Sequence, residues 1–195
     1  MNATAHTGSS PTPLKANARA AVVEPSQATQ YLTFMVGSEV FAIGILAIKE
    51  IIEYDSLTMV PMMPACIRGV INLRGAVVPV MDLSARFGKQ AAEVTKRTCI
   101  VIVEIEAADG PQDVGVIVDA VNAVLDIPAA DIEPAPAFGT RIRTDFISGM
   151  GKVNGKFVIL LDVNYVLSVD EMGAMSGHSA DAGLAPADIA AHLNH

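Results

Sequence analysis

Two aspartates at matching positions are the residues whose type and spacing first suggest chemistry. Asp82 and Asp162 each follow a short apolar run, and they occupy the same place in two similar stretches of the chain. Carboxylates from duplicated lobes can share one proton, as in aspartic proteases. Here, however, Leu-Ser or Val-Asn follows the Asp, not the small residue and Gly that such an active-site turn requires. A short helix-compatible stretch comes next, so we predict that both aspartates cap helices.

The other reactive side chains do not form a recognisable site. All four histidines lie in the predicted tails: His6, His178, His192 and His195. Cys66 and Cys99 form no C-x-x-C pattern; Cys99 is expected to be a packed thiol, and Arg68 near Cys66 leaves reactivity open there. Because the histidines lie outside the predicted folded part, we expect neither Ser-His or Cys-His catalysis nor imidazole metal sites there. We therefore expect no enzyme activity, no metal and no cofactor.

Size and charge restrict the possible partners. The chain has 195 residues and a net charge of −8, which suits one compact domain or two small lobes and disfavours nucleic acid and anionic membranes. No apolar run approaches the roughly 20 residues of a spanning helix, and no secretory signal pattern is present. We expect a cytoplasmic protein that does not insert into membranes.

An internal duplication indicates how the elements are organised. Residues 69–83 align without a gap on residues 149–163, residues 41–53 on 114–126, and residues 31–36 on 98–103. The repeats, about 30–88 and 98–167, predict two related lobes within a folded part at 30–171. Residues 1–29 and 172–195 are poor in large apolar side chains, and we predict a disordered N-terminal tail and a flexible C-terminal tail.

Short Val- and Ile-rich runs separated by Gly, Asp and Asn predict an all-β fold with short helices. Asn154-Gly155 is a strong signal for a type I′ hairpin turn, and Arg74-Gly75 is its counterpart in the first repeat. Many short strands in two copies predict two small β-barrels. Residues 128–138 are expected to be an irregular surface connection.

Two regions differ between the repeats and are candidates for function. Arg74 replaces the better turn former Asn154, and its fork of donors suits protein recognition; a solvated Arg or one paired with an acidic neighbour is equally consistent. Residues 45–54 would be apolar on both faces of a strand, which indicates either contact between the lobes or a surface offered to a partner.

Residues 68–75 read Arg-Gly-Val-Ile-Asn-Leu-Arg-Gly, and residues 77–83 read Val-Val-Pro-Val-Met-Asp-Leu. Together they closely resemble the signature of the CheW family of bacterial chemotaxis coupling proteins. The similarity extends over about residues 31–172. It implies two SH3-like five-stranded β-barrel lobes and a role without catalysis.

The resemblance also implies partners and a binding site. Proteins of this family bridge the cytoplasmic tips of methyl-accepting chemoreceptors and the regulatory domain of the histidine kinase CheA. Asn72, Arg74 and Gly75 match the family's Asn-Leu-Arg-Gly stretch, which is associated with receptor binding at the groove between the lobes. Ile48 and Glu50 match a segment implicated in receptor or kinase contacts. The expected function is an adaptor in chemotaxis, with a similar scaffold in a pathway for surface motility, biofilm or second-messenger output as the alternative.

Overall fold

Strands account for most of the secondary structure, and the prediction of an all-β fold with short helices is confirmed. The computed structural model describes residues 28–136 and 142–168. The strands are β1 Ala28–Val36, β2 Glu39–Gly44, β3 Ile48–Glu53, β4 Ile67–Leu73, β5 Ala76–Asp82, β6 Cys99–Ala107, β7 Gly110–Val118, β8 Ala120–Pro128, β9 Ile132–Glu133, β10 Ile147–Val153 and β11 Lys156–Leu161. The helices are α1 Leu83–Arg86 and α2 Val163–Val166, with 3₁₀ turns at Ile45–Ala47, Ala129–Asp131 and Thr144–Phe146. Within the described ranges, none of the helices has the length and apolar character needed to cross a membrane.

The strands form two mixed sheets. The six-stranded sheet has the order β8-β1-β2-β11-β10-β9, and the five-stranded sheet has the order β3-β6-β7-β5-β4. Pairing is antiparallel except between β2 and β11 and between β5 and β7, which run parallel.

The prediction that each repeat forms its own lobe needs correction. The six-stranded sheet combines β1 and β2 of the first repeat with β8 to β11 of the second, and the five-stranded sheet combines β3 to β5 with β6 and β7. Matching strands nevertheless occupy matching places in both sheets, so the repeats have exchanged their first hairpins. Sequence similarity shows which strands correspond, but it does not show which copy each strand pairs with.

The central strands of both sheets are buried on both faces over much of their length. In β6, Ile100 and Ile102 belong to a core on one face of the five-stranded sheet, whereas Val101 and Val103 belong to a larger core shared with the other sheet. A third core surrounds Leu160 in the six-stranded sheet. Since alternate residues of a strand face opposite sides, the buried parts of these strands have no polar face, which explains uninterrupted runs such as Ile100 to Val103.

Two matched glycines allow another segment to cross each hairpin closely. At Gly69, with φ of 152°, an added Cβ would lie 2.5 Å from the carbonyl oxygen of Thr58. At Gly149 it would lie 2.7 Å from Cγ2 of Ile132. The register shifts beside each glycine, between residues 67 and 69 and between 147 and 149. The glycines therefore agree between the repeats for a structural reason.

Two boundaries differ from those predicted. Strand β1 begins at Ala28, inside the predicted tail of residues 1–29, because β8 is long enough to pair with it from Pro128 onward. Residues 128–138 are not wholly irregular, since Ile132 and Glu133 form β9 against β10. The remaining tail predictions and all four histidines lie outside the described residues.

Candidate functional site

Arg74 occupies the tight turn between β4 and β5. Its φ is 51° and that of Gly75 is 91°, which matches the left-handed backbone that a type I′ turn requires. The turn between β10 and β11 has φ of 50° at Asn154 and 76° at Gly155. Both predicted turns are confirmed. Asn enters this region readily and Arg does not, so Arg74 opposes local backbone preference.

Asn72 holds the Arg74 turn together. Its Oδ1 accepts a hydrogen bond from the backbone N–H of Gly75 at 2.8 Å. Three predicted site residues, Asn72, Arg74 and Gly75, are thus parts of one turn, which the bond between Asn72 and Gly75 supports.

Glu50 is the partner of Arg74. Nη2 of Arg74 donates to Oε2 of Glu50 at 2.8 Å, across 24 positions of sequence. The Glu50 side chain is 24% exposed and that of Arg74 is 79% exposed. The alternative in which Arg74 pairs with an acidic neighbour is therefore confirmed, and most of the guanidinium remains in contact with solvent.

This ion pair joins the two edges of the five-stranded sheet, because Glu50 lies on β3 and Arg74 follows β4. The sheet must curve to bring its edges together, which is how a small barrel forms. An exposed pair of this kind contributes only about 0–1 kcal/mol to stability. The Arg74 side chain can therefore be exchanged without losing the fold.

Ile48 and Glu50 are both half-buried, whereas Lys49 and Ile51 are exposed. The register shift between Ile48 and Glu50 places them on opposite faces of the sheet, because Ile48 pairs with Val103 and Glu50 pairs with Ile102. Ile48 packs against the core between the sheets, and Ile51 is 43% exposed. Contact between the sheets therefore explains Ile48, whereas use of the exposed residues of the segment 45–54 by a partner stays a prediction. The prediction of one strand was wrong for its start, where Ile45–Ala47 forms a 3₁₀ turn.

Two exposed apolar residues were not among the individually predicted site residues, although Leu46 belongs to the segment 45–54 that was predicted as a possible partner surface. Leu46 is 95% exposed in the 3₁₀ turn that links the two sheets, and Val77 is 73% exposed just after the Arg74 turn. A strand pattern gave no reason to single out Leu46, because alternation assigns apolar residues to a buried face. The position of Leu46 in a connection between sheets was the missing information.

An ionic cluster stabilises the outer edge of β3. Nζ of Lys49 contacts Oε2 of Glu104 at 2.5 Å on β6 and Oδ1 of Asp113 at 2.8 Å on β7. These hydrogen bonds, the one to Asp113 first, raise the pKa of Lys49. The register of the pairing between β3 and β6 shifts at this point, between Ile48 and Glu50. The cluster spans three strands beside the residue Glu50.

Asp82 and Asp162 cap α1 and α2, as predicted. Asp82 Oδ1 accepts from the N–H of Ala85, and Asp162 Oδ1 accepts from the N–H groups of Asn164 and Tyr165. Asp82 is fully buried and also accepts from Arg68. Each carboxylate is committed to the start of its own helix, which removes the geometry expected of a shared-proton pair.

The remaining reactive groups offer little chemistry. Burial raises the pKa of the Cys66 thiol more than nearby Arg86 lowers it, so the reactivity left open for Cys66 is disfavoured. Cys99 is half-buried at the start of β6. In residues 28–136 and 142–168, His, Cys, Asp and Glu side chains do not assemble in threes as a metal site would require.

Comparison with known proteins identifies the family. The model of the CheW-like domain matches residues 30–171. The chain belongs to the CheW family. It is 36% identical over 143 residues to the chemotaxis protein CheW of Klebsiella aerogenes, covering 73% of this chain and 84% of that protein. It is also 36% identical over 137 residues to CheW of Bacillus subtilis, covering 70% and 85%.

A solved structure agrees with the sequence relatives. The crystal structure of the scaffolding protein TtCheW from Thermoanaerobacter tengcongensis superposes with a TM-score of 0.66 and 35% identity. The match covers 73% of this chain and 90% of that one. This chain therefore shares its fold with a family member that is named a scaffolding protein.

Proposed function

We propose that this protein is a non-catalytic adaptor that couples chemoreceptors to the histidine kinase CheA. Membership of the CheW family, with relatives named chemotaxis proteins, supports the role. The single observation that carries the site assignment is Arg74. It occupies an unfavourable turn position, pairs with Glu50 and stays 79% exposed, which is the arrangement of a residue kept for recognition.

The receptor contact would be made by Arg74 and its surroundings. The planar guanidinium offers donors that Glu50 does not use, and Val77 adds exposed apolar surface beside it. Arg is among the residues whose truncation to Ala most often causes a large loss of binding free energy at an interface. Ile48 and Glu50, on opposite faces of the edge strand β3, would form the adjoining border, so that this edge of the five-stranded sheet receives the tips of receptor helices.

The kinase contact would be made by the connection between the sheets. Leu46 projects from that connection with 95% of its surface exposed, and Ile51 of the following strand β3 is 43% exposed. An apolar side chain on a rigid turn is suited to enter a small pocket of a partner. We assign that pocket to the regulatory domain of CheA. The resemblance to the family implies that this domain has the same fold.

The adaptor would transmit the state of the receptor to the kinase, and a coupling free energy between the two contacts measures how strongly it does so. The receptor states must differ in how they bind or orient the adaptor, since a ligand shifts an equilibrium only through differential affinity. The protein itself would break no bond, in agreement with the commitment of Asp82 and Asp162 to helix capping. Its place of work would be the cytoplasmic side of receptor arrays.

Binary binding measurements test the two contacts separately. Purified protein is titrated calorimetrically with a receptor-tip fragment and with a kinase regulatory fragment. Arg74→Ala is expected to weaken receptor binding about tenfold and leave kinase binding unchanged, and Leu46→Ala is expected to do the reverse.

Matched variants provide the controls. Arg97→Ala removes an exposed Arg outside the site, and Val94→Ala trims an apolar residue that is 50% exposed. Neither should change either affinity. Equal loss in Arg74→Ala and Arg97→Ala would remove Arg74 from the proposed contact.

A further inference from the structure

The hairpin β6–β7 is longer than its counterpart β1–β2 and borders a cavity that no part of the proposed function uses. Six residues separate Ile105 from Gln112, whereas two separate Val36 from Glu39, the pair at the matching place. The cavity has a volume of about 430 Å³, within the range of pockets that bind ligands, about 300–1,000 Å³. Its lining combines the extended hairpin with Ser168, which is the last described residue of the chain.

The face of this hairpin that adjoins α2 carries no charged side chain beyond Ile105. By cross-strand pairing, this face of the extension consists of four residues, which we name the hairpin shelf: Ile105, Ala107, Gly110 and Gln112. Ile105 belongs to the core that α2 also enters, so the shelf is continuous with the end of that helix. Glu106 pairs with Pro111, and its carboxylate therefore belongs to the opposite face.

In the first repeat, the chain that follows the helix covers the matching face. Lys89 comes seven residues after Asp82, and its Nζ donates to Oε2 of Glu39 at 2.7 Å. Its backbone N–H also donates to the carbonyl oxygen of Ser84 at 2.9 Å. The chain thus turns back from the end of α1 onto the hairpin β1–β2.

The second repeat has uncharged residues at both positions of this contact. Val169 follows α2 at the place where Lys89 follows α1, and Gln112 corresponds to Glu39. An ion pair in one copy therefore matches an apolar residue and an amide in the other, which can pack without a charge on either side. The chain reaches this position directly from Ser168, which already lines the cavity.

We propose that residues 169–172 dock in this cavity as an intramolecular ligand. Val169 would pack on Gln112, and Met172 would pack on Ala107 at the outer end of the hairpin shelf. These two places are two residue pairs apart along the hairpin, about 7 Å. Three residues of extended chain span about 10 Å, so the segment is long enough to reach both.

Tethering and charge favour the chain's own segment as the occupant. A segment joined to Ser168 is present at a roughly millimolar effective concentration. It carries Asp170 and Glu171, which suit a shelf without carboxylates. Asp109 is exposed at the tip of the hairpin, beyond the shelf, so the segment need not approach it. This docking does not depend on the receptor and kinase contacts proposed above.

The test uses the full chain with ¹⁵N-labelled amides and ¹³C-labelled Met and Ala methyl groups. A nuclear Overhauser effect is expected between the methyl groups of Met172 and Ala107. Met172→Asp should shift the amide resonances of residues 105–112. Leu184→Asp, which changes an apolar residue farther from the helix, should leave those resonances unchanged.

A charge exchange tests whether the first repeat predicts the register. Gln112→Glu should abolish the Overhauser effect, because it adds a carboxylate to the shelf opposite an acidic segment. Val169→Lys in the same chain copies the Lys89–Glu39 pair and should restore the effect. Asn122→Asp is the control, since it makes the same change from amide to acid at an exposed position of β8.

Several results would overturn the inference. Absence of the Overhauser effect in the wild type would do so, as would failure of Val169→Lys to restore it in the Gln112→Glu chain. Shifts at residues 105–112 that are as large for Leu184→Asp as for Met172→Asp would remove the specific contact. An effect that appears only as the protein concentration rises would assign the cavity to a second copy of the chain.

Discussion

The hairpins β4–β5 and β10–β11 have the same backbone and different surfaces. Both contain a glycine at a close crossing, a left-handed turn and an Asp that caps a one-turn helix. At the tips, however, the first hairpin has Arg74 bound to Glu50, and the second has lysines outside the ion pairs of the described chain. The comparison separates residues that build the hairpin from residues that distinguish what each hairpin can bind.

The two capping aspartates have matching positions but differ in burial and in their hydrogen bonds. Asp82 accepts from Arg68, Ala85 and Ala92 and is fully buried, so it ties the strand, the helix and the following loop together. Asp162 is half-buried and serves its helix alone, because Ser148 stands where Arg68 would be and bonds to the carbonyl of Leu160 instead. The first copy therefore depends more strongly on its Asp.

Replacement of the two aspartates, one at a time, should give the largest difference in free energy of unfolding between the two repeats. Asp82→Ala is expected to lower the free energy of unfolding by about 3–5 kcal/mol, because it leaves Arg68 and two backbone N–H groups without their acceptor. Asp162→Ala should cost about 1 kcal/mol, the usual value for a lost cap. Urea unfolding followed by circular dichroism measures both. Equal losses would contradict the distinction between the two carboxylates.

The matched glycines should give the next largest difference. Gly69→Ala places Cβ against a backbone carbonyl and is expected to cost about 3 kcal/mol. Gly149→Ala meets Cγ2 of Ile132 at 2.7 Å and the carbonyl oxygen of Glu133 at 3.1 Å, but it needs no left-handed φ and should cost less, about 1–2 kcal/mol. Thermal unfolding of the two variants compares them. A larger loss for Gly149→Ala would show that the crossing at Thr58 adapts more easily than its geometry indicates.

Exchange of the turn residues should give the smallest effect on stability. Arg74→Asn is expected to stabilise the fold by about 0.5 kcal/mol, since relief of the left-handed strain exceeds the weak ion pair to Glu50. Asn154→Arg should destabilise by about 1 kcal/mol. Chemical denaturation resolves the two signs. Destabilisation by Arg74→Asn would mean that Arg74 is kept for the fold rather than for binding.

Much of the local structure could be predicted because it depends on short stretches of sequence. The helix caps at Asp82 and Asp162 and the turn at Asn154-Gly155 follow from residues within one or two turns of chain. The signature around Arg74 also led to the family, which the comparisons confirm. These features need no knowledge of how distant strands pair.

The features that could not be predicted all depend on distant pairing. The contact between Glu50 and Arg74 forms only because β3 and β4 are the two edges of one curved sheet. The exchange of hairpins between the repeats is invisible in their similarity, because either pairing would bury the same residues. Leu46 belonged to the predicted segment 45–54, but it was assigned to a strand, because its exposure follows from a connection between sheets.

Formation of a three-component complex tests the central claim most directly. Receptor-tip and kinase fragments are sedimented with and without this protein, and with its Arg74→Ala and Asn154→Ala variants, which alter matching turns. We predict that the wild type and Asn154→Ala bring receptor and kinase into one complex and that Arg74→Ala loses the receptor. Assembly that is the same without the protein, or with Arg74→Ala, would contradict the proposed role.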